Sequence, residues 1–188
     1  GCTSLKSITL PDNTKYIRNY VFENCTNLET IYSKFASADN RCLIIYDVLL
    51  AFAPSGLTSY EIPEGVIGLS SGIFRGCSNL KSITIPSSVT SSGDYAFSNC
   101  DNLTSINIPE NVHTIGERAF MDCTGLETIT IPESVRNYGI GMLENCSNLQ
   151  SITLAHIGAH DHTSEDMGYF GYIFGCQSYG YHDGVPQS

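Results

Sequence analysis

The stretch Cys100-Asp-Asn-Leu103-Thr-Ser-Ile106-Asn-Ile108-Pro109-Glu-Asn-Val112-His-Thr-Ile115-Gly116-Glu-Arg-Ala119-Phe120-Met-Asp122 decides the fold, because Cys123 begins the same pattern again 23 residues later. As a unit it reads Cys-x-x-Leu-x-x-Ile-x-Ile-Pro-x-x-Val-x-x-Ile-Gly-x-x-Ala-Phe-x-x. A fixed period of this length marks a stacked repeat, in which no turn buries its apolar face alone and neighbouring turns bury it together. Inside the unit, Ile106-x-Ile108 alternates apolar and polar, which predicts a short strand with both isoleucines and Leu103 inward and Asn107 outward. Pro109 ends the strand, having no N–H to give a ladder. Residues 116–122 have the length of a helical segment of about two turns, with Ala119 and Phe120 beneath the sheet. Asn24, Gly76, Asn99, Asp122 and Asn145 each precede the Cys position. Gly and Asn tolerate the left-handed backbone that closes such a segment.

Outward from this unit the period holds in both directions. Turns begin at Cys2, Cys25, Cys77, Cys100, Cys123 and Cys146, with Pro54 in the Cys position of the third. The second turn departs after Ile31. Residues 34–53 read as an insertion in which Cys42-Leu-Ile-Ile-Tyr46 and Val48-Leu-Leu-Ala-Phe52 flank Asp47, two β-rich runs around a tight turn. This predicts a hairpin in place of that turn's helical segment. Phe22, Phe74, Phe97 and Phe120 predict an aromatic column at the thickest part of the core. The seventh turn carries a polar insertion at 156–168, then Tyr169-Phe-Gly-Tyr-Ile173-Phe174, an aromatic stretch able to supply its helical segment. Residues 1–188 therefore read as a single solenoid with an irregular C-terminal repeat at about 155–188. Gly1-Cys2-Thr3-Ser4-Leu5 opens inside a repeat, so the chain is expected to be a fragment of a longer one.

The composition excludes several classes. Nine Lys and Arg stand against 19 Asp and Glu, a formal net charge of −10. Nucleic-acid binding needs basic stripes that this balance does not supply, and an anionic membrane surface would repel it. No apolar run reaches the roughly 18–20 residues of a membrane-spanning helix. The eight cysteines suggest a disulfide framework by count, but six of them fall at the repeat position. A core position recurs with the period, so buried reduced thiols are expected. Bridges between neighbouring turns stay open as an alternative, because stacked positions lie only about 5 Å apart.

Leu80-x-x-Ile83-x-Ile85 matches the strand motif of leucine-rich repeats, without the Asn that follows in the common type. The words Ile108-Pro-Glu-Asn-Val112 and Ile115-Gly-Glu-Arg-Ala-Phe120-Met-Asp-Cys123 resemble the BspA-like class, and the resemblance covers nearly the whole chain. It implies an α/β repeat fold: a right-handed, curved leucine-rich-repeat solenoid with short strands on one face and short helical segments on the other. It also implies secreted or surface-anchored bacterial proteins, some of them adhesins for host matrix proteins or other cells. The family shares no catalytic residue, so none is carried over, and no cofactor is expected.

Five features are candidate sites. Gly68-Leu-Ser70-Ser-Gly72 spells G-x-S-x-G, but it falls where the unit has no buried strand and long helix to make a nucleophile elbow. His156, His160 and His162, with Glu165 and Asp166, are metal-capable side chains; their spacing matches no standard site and they sit in the polar insertion. Asn24-Cys-Thr26, Asn102-Leu-Thr104 and Asn145-Cys-Ser147 fit the glycosylation sequon, yet they recur only because the repeat does. The outward strand positions form columns, of which Tyr32, Glu61, Thr84, Asn107 and Thr130 are candidates for contact with a partner. Glu64, Glu110 and Glu133 make an acidic ridge beyond the prolines. The expected function is a non-catalytic, extracellular protein-interaction or adhesion module at a bacterial cell surface. Its partner would be a host matrix or cell-surface protein, or another cell, reached through the strand face or the two irregular inserts. The alternative is a passive spacer that displays another domain.

Overall fold

A computed structural model describes residues 1–154 and 173–175. In chain order its strands are β1 (Ser7–Thr9), β2 (Thr30–Tyr32), β3 (Cys42–Ile45), β4 (Val48–Phe52), β5 (Ser59–Glu61), β6 (Gly68–Leu69), β7 (Ser82–Thr84), β8 (Ser91–Ser92), β9 (Ser105–Asn107), β10 (Thr114–Ile115), β11 (Thr128–Ile131), β12 (Asn137–Tyr138) and β13 (Ser151–Leu154). The strand read from the repeat recurs as β1, β2, β5, β7, β9, β11 and β13. These pair in parallel in three ladders, β1–β2, β5–β7 and β9–β11–β13, with Ile8 on Ile31, Tyr60 on Ile83, and Ile106 on Ile129 on Ile152. Ile106 and Ile108 are buried and Asn107 is exposed, as the alternation requires.

A second sheet runs in the order β12-β10-β8-β6-β4-β3. The sequence gives no sign of its two-residue strands, because a period of two cannot show in two residues. They lie one corner beyond the proline. At each corner the Pro carbonyl accepts the N–H three residues on, as from Val112 to Pro109 at 3.0 Å and Val89 to Pro86 at 3.1 Å.

The helical segments expected in the regular turns are absent among the described residues: 95–99 and 118–122 form turns. Every second N–H on this third face points to the next repeat instead of back along its own chain. Tyr95, Phe97 and Asn99 donate to Glu117, Ala119 and Met121, each at 2.8 Å, and Arg118, Phe120 and Asp122 donate to Ile140, Met142 and Glu144. An N–H so used is lost to the i→i−4 bond of a helix. What remains local is a series of i→i−3 turns, as from Ser98 to Tyr95 and Cys100 to Phe97. Two left-handed residues per repeat bend the chain round these turns. Asn24, Gly76, Asn99, Asp122 and Asn145 hold the place read from the sequence, with φ between 58° and 74°. Gly72, Tyr95, Arg118 and Gly141 hold a second place, disguised because two of them are bulky residues that rarely adopt positive φ.

The Gly of the Ile-Gly pair has a steric basis. A Cβ on Gly93, Gly116 or Gly139 would come within 3.0 Å of the preceding turn's backbone, at Gly116 that of Gly93 and Asp94. Ser70 stands at the same place in the third turn, where its N–H meets Leu49 of the hairpin at 3.1 Å.

The hairpin β3–β4 turns at Tyr46 and Asp47, both with positive φ, the conformation of a two-residue type I′ hairpin loop. It is apolar on both sides and divides the core. Cys42, Leu49 and Phe52 join the main core, while Leu43, Ile45, Ala51 and Ala53 close a second core with Cys25, Leu28 and Ile31. This corrects the predicted aromatic column. Phe22 is half-buried in the second core, and Phe52 takes the place of the missing second-turn ring, 4.9 Å from Phe74. Phe74, Phe97 and Phe120 then stack at 5.4 and 5.2 Å.

Candidate functional site: the strand face and the hairpin break

The strand face carries Tyr32, Glu61, Thr84, Asn107 and Thr130 at the outward position of successive strands, all five exposed. Register places Tyr32 beside Thr9, Glu61 beside Thr84, and Thr130 between Asn107 and Thr153. β7 lies against β9. Between β2 and β5 the hairpin enters, and the Ile31 N–H turns to the Asn40 carbonyl at 2.7 Å. Tyr32 borders this break and is the one aromatic of the column, 49% exposed. The face is thus polar and fixed from beneath by apolar packing, the second core under β2 and the main core under β5, β7, β9 and β11.

The root of the hairpin holds a polar knot that sequence reading did not find. Ser37 Oγ donates to Asp39 Oδ1 at 2.5 Å, and Tyr60 OH donates to Asp39 Oδ2 at 3.2 Å. Cys42 Sγ lies 3.1 Å from the same hydroxyl. Arg41 Nη1 ties the knot to the carbonyls of Ala53 and Ser55. Burial works against the Asp39 charge, but the hydrogen bonds from Ser37, the Arg41 N–H and Tyr60 hold its carboxyl below the ordinary value. Burial pushes the Cys42 thiol up to about 12 and raises the Tyr60 phenol. A thiol so raised is no nucleophile at neutral pH, so the knot fastens the hairpin. Its residues are spread over 24 positions at no common place in the unit, which hid it from the period.

The repeating cysteines Cys25, Cys77, Cys100, Cys123 and Cys146 are free and buried, and Cys2 is free and exposed. Three of the thiols donate 26 residues back, to the aromatic carbonyl three places before the preceding repeat cysteine: Cys100 to Phe74 at 3.2 Å, Cys123 to Phe97 at 3.0 Å, Cys146 to Phe120 at 3.1 Å. Burial pushes Cys77 and Cys146 up to about 12; the Cys100 thiol and burial raise Cys123.

The third face carries a strip of paired charges and rings. Arg75 Nη1 meets Glu23 Oε1 at 3.1 Å and lies between the rings of Tyr20 and Tyr95, at 6.0 and 5.3 Å. Arg118 donates to Tyr95 OH at 3.2 Å, to Glu144 Oε2 at 2.8 Å, and to Glu117. Arg118 stands three places before Arg75 in the unit, so the period alone did not associate them. Beside Arg75, a cleft with about 30 Å³ of free volume lies between residues 20–26 and 71–77 over residues 50–52. That is room for about one water.

With this geometry in hand, comparison is decisive. The model described as BspA type Leucine rich repeat region matches in six copies over residues 1–43 and 50–160. The chain belongs to the BspA-type leucine-rich repeat family. Among solved structures it is similar to a leucine rich cell surface protein from Faecalibacterium prausnitzii A2-165, at 24% identity and a TM-score of 0.63 over 90% of this chain and 51% of that one. A leucine-rich repeat protein from Eubacterium ventriosum is 27% identical, TM-score 0.62, over 80% and 49%. The pneumococcal vaccine antigen PcpA is 24% identical, TM-score 0.71, over 80% and 39%. The chain spans about half or less of the length of these structures. No curated protein sequence matches it.

The BspA-type frame also places the other candidates. Among the described residues Ser70 Oγ, buried, has no hydrogen-bond partner, so none of them is placed beside it as the base that activates a nucleophile. Asn102 Nδ2 donates to the Ser78 carbonyl at 2.6 Å and Asn145 Nδ2 to Asp122 Oδ1 at 2.9 Å, so two sequon amides link turns. Glu64, Glu110 and Glu133 are exposed; Glu133 lies 3.9 Å from Arg136. His156, His160 and His162 lie outside the described residues. Among the described residues no three or more His, Cys, Asp or Glu gather as metal ligands, and no helix is long and apolar enough to cross a membrane.

Proposed function

We propose that this chain is a non-catalytic protein-binding module of a bacterial cell-surface protein, acting outside the cell in adhesion. The observation that carries the reading is the strand face: seven strands present an exposed polar column, Tyr32 and Glu61 among it, on a core that holds it rigid. A fixed surface loses little entropy on binding. A leucine rich cell surface protein stands among the similar structures and supports the setting. Residues 1–188 act as one unit, and Tyr32, Glu61, Thr84, Asn107 and Thr130 form the contact. The partner is a host matrix or cell-surface protein. The test is capture of immobilised fibronectin, fibrinogen and laminin by the full chain, against the variant Tyr32→Ala/Glu61→Ala/Asn107→Ala. Capture by the parent and at least a tenfold loss in the variant supports the reading. Capture unchanged by the three substitutions removes the strand face, and no capture of any of the three leaves the chain as a spacer.

A further inference from the structure

We propose that the hairpin leaves a vacant strand position on the third face, between the first and third turns, and that this slot takes one extended segment of a partner protein. The inference deepens the protein-binding reading and rests on it, adding a second point of attachment with its own chemistry.

The regular turns show what the slot lacks. In the fourth turn the carbonyls of Asp94, Ala96 and Ser98 accept from Gly72, Phe74 and Gly76, while the N–H groups of Tyr95, Phe97 and Asn99 donate to Glu117, Ala119 and Met121. Residues 94–99 thus lie as a strand between two neighbours. The second turn has no such segment, because its chain runs into β3 and β4 instead. The N–H groups of Tyr20, Phe22 and Asn24 on one side, and the carbonyls of Ser71, Ile73 and Arg75 on the other, have no hydrogen-bond partner among the described residues. By the repeat these are the three donors and three acceptors that an intervening segment would meet. The walls belong to turns two places apart, and regular stacking would set them about 9–10 Å apart, the width of one added strand; here the Tyr20 ring lies against Gly72 and the Asn24 side chain lies 3.6 Å from where a Gly76 Cβ would stand, so an entering strand displaces these side chains and parts the walls.

Side chains now bridge the gap. The Tyr20 ring lies against Gly72, where a Cβ would collide with it, and Glu23 crosses to Arg75. Tyr20 is 36% exposed, so the ring can swing away without opening the core. The occupant is constrained from within as well. Phe52 already fills the aromatic place beneath the slot, 4.9 Å from Phe74, so the residue above it must be Gly or Ala. The partner segment is therefore extended, about six residues long, small at its fourth position, and free of proline where its N–H groups face Ser71, Ile73 and Arg75. Backbone hydrogen bonds supply the attachment, as in other strand additions. A segment distant in sequence already joins this ladder elsewhere: Ile173 accepts from Leu143 at 2.9 Å.

The experiment titrates the full chain, labelled for amide detection by NMR, with a capped hexapeptide copying residues 94–99 with Phe97→Gly. Saturable shifts at Tyr20, Phe22 and Asn24, with slowed exchange of those amides, are expected. N-methylation of the peptide at its second, fourth and sixth residues removes the donors without altering side chains, and should weaken binding by about tenfold or more. Tyr20→Ala should strengthen it. No saturation, equal binding of the methylated peptide, or shifts confined to the strand face would each overturn the slot. None of these readings uses the matrix proteins or Tyr32, Glu61 and Asn107, so failure here and failure of the adhesion assay are separate results.

Discussion

Cys123 Sγ donates to the Phe97 carbonyl oxygen at 3.0 Å, and the same oxygen accepts the Cys100 N–H at 3.3 Å. One buried carbonyl is thereby satisfied twice, once by the repeat cysteine three residues on and once by the next repeat cysteine after it. This explains why the repeat uses cysteine rather than alanine or valine: the side chain is small and apolar, yet it holds a donor. Cys123→Ala leaves the second lone pair unmet and opens a small void. We expect a loss of about 1–2 kcal/mol in urea unfolding, with most of it recovered in Cys123→Ser. A serine variant no better than alanine would show that the thiol acts by volume alone.

The same burial gives an alkaline limit. Cys42, Cys77 and Cys146 have folded values near 12 against 9.0 for the free side chain. The folded state therefore holds these protons more tightly than the unfolded one. The stabilisation is complete below pH 9 and is lost as pH rises through the folded value. Above pH 9 each thiol should reduce the unfolding free energy by about 1.4 kcal/mol per pH unit. Denaturation midpoints at pH 8, 9.5 and 10.5 check this, and Cys77→Ala should flatten the slope by one thiol's share. At pH 8 the exposed Cys2 should alkylate rapidly while Cys77, Cys100 and Cys123 stay unmodified until the chain unfolds.

The strand, its proline end and the cysteine core were legible because each rests on a residue type recurring at 23 residues, and the hairpin because two β-rich runs flank Asp47. Ile106 and Ile108 need only the alternation to be placed inward. The helical expectation failed at 116–122 because the length there suits two helical turns, and only the neighbouring repeat's carbonyls decide otherwise. The left-handed Arg118 failed for a like reason: φ of +50° in an arginine follows from stacking, not from preference. The Asp39–Tyr60–Cys42 knot and the vacant slot arise where the period breaks, and a broken pattern carries no register. Tyr32 and Glu61 were readable as outward residues, since outwardness is a backbone property; what they touch is a property of another molecule.

Gly116 has an ordinary φ, so its need for glycine comes from the preceding turn's backbone, which lies less than 3.0 Å from where a Cβ would stand. Gly116→Ala must push two turns apart and should cost about 1–3 kcal/mol. Ser70, at the same place facing the hairpin, already carries a side chain, and Ser70→Ala should be neutral or slightly stabilising because it removes an unpartnered buried hydroxyl. Paired thermal melts test the contrast. Equal effects at the two positions would contradict the close approach.

Ser92 occupies an isoleucine place of the unit; it is buried and its hydroxyl has no partner among the described residues. Ser92→Val replaces an unsatisfied polar group with the apolar surface that Leu69 and Ile115 present on either side in β6 and β10. A gain of about 1 kcal/mol is expected, read as a higher denaturation midpoint with unchanged slope.

The exchange of Phe52 for Phe22 in the aromatic column gives the sharpest test of the hairpin's place. Phe52 is 4% exposed and in contact with Tyr60 at 4.7 Å and Phe74 at 4.9 Å, so Phe52→Ala should cost about 3–5 kcal/mol. Phe22 is half-buried at the edge of the smaller core, and Phe22→Ala should cost about half of that or less. Because the hairpin separates two cores, the variants should differ in kind as well as in size. Phe22→Ala loosens residues 1–31, seen as faster amide exchange there, while Phe52→Ala weakens the main core too and lowers the global midpoint. If Phe22→Ala cost as much as Phe52→Ala, the column would run through the first turn and the hairpin would lie outside it.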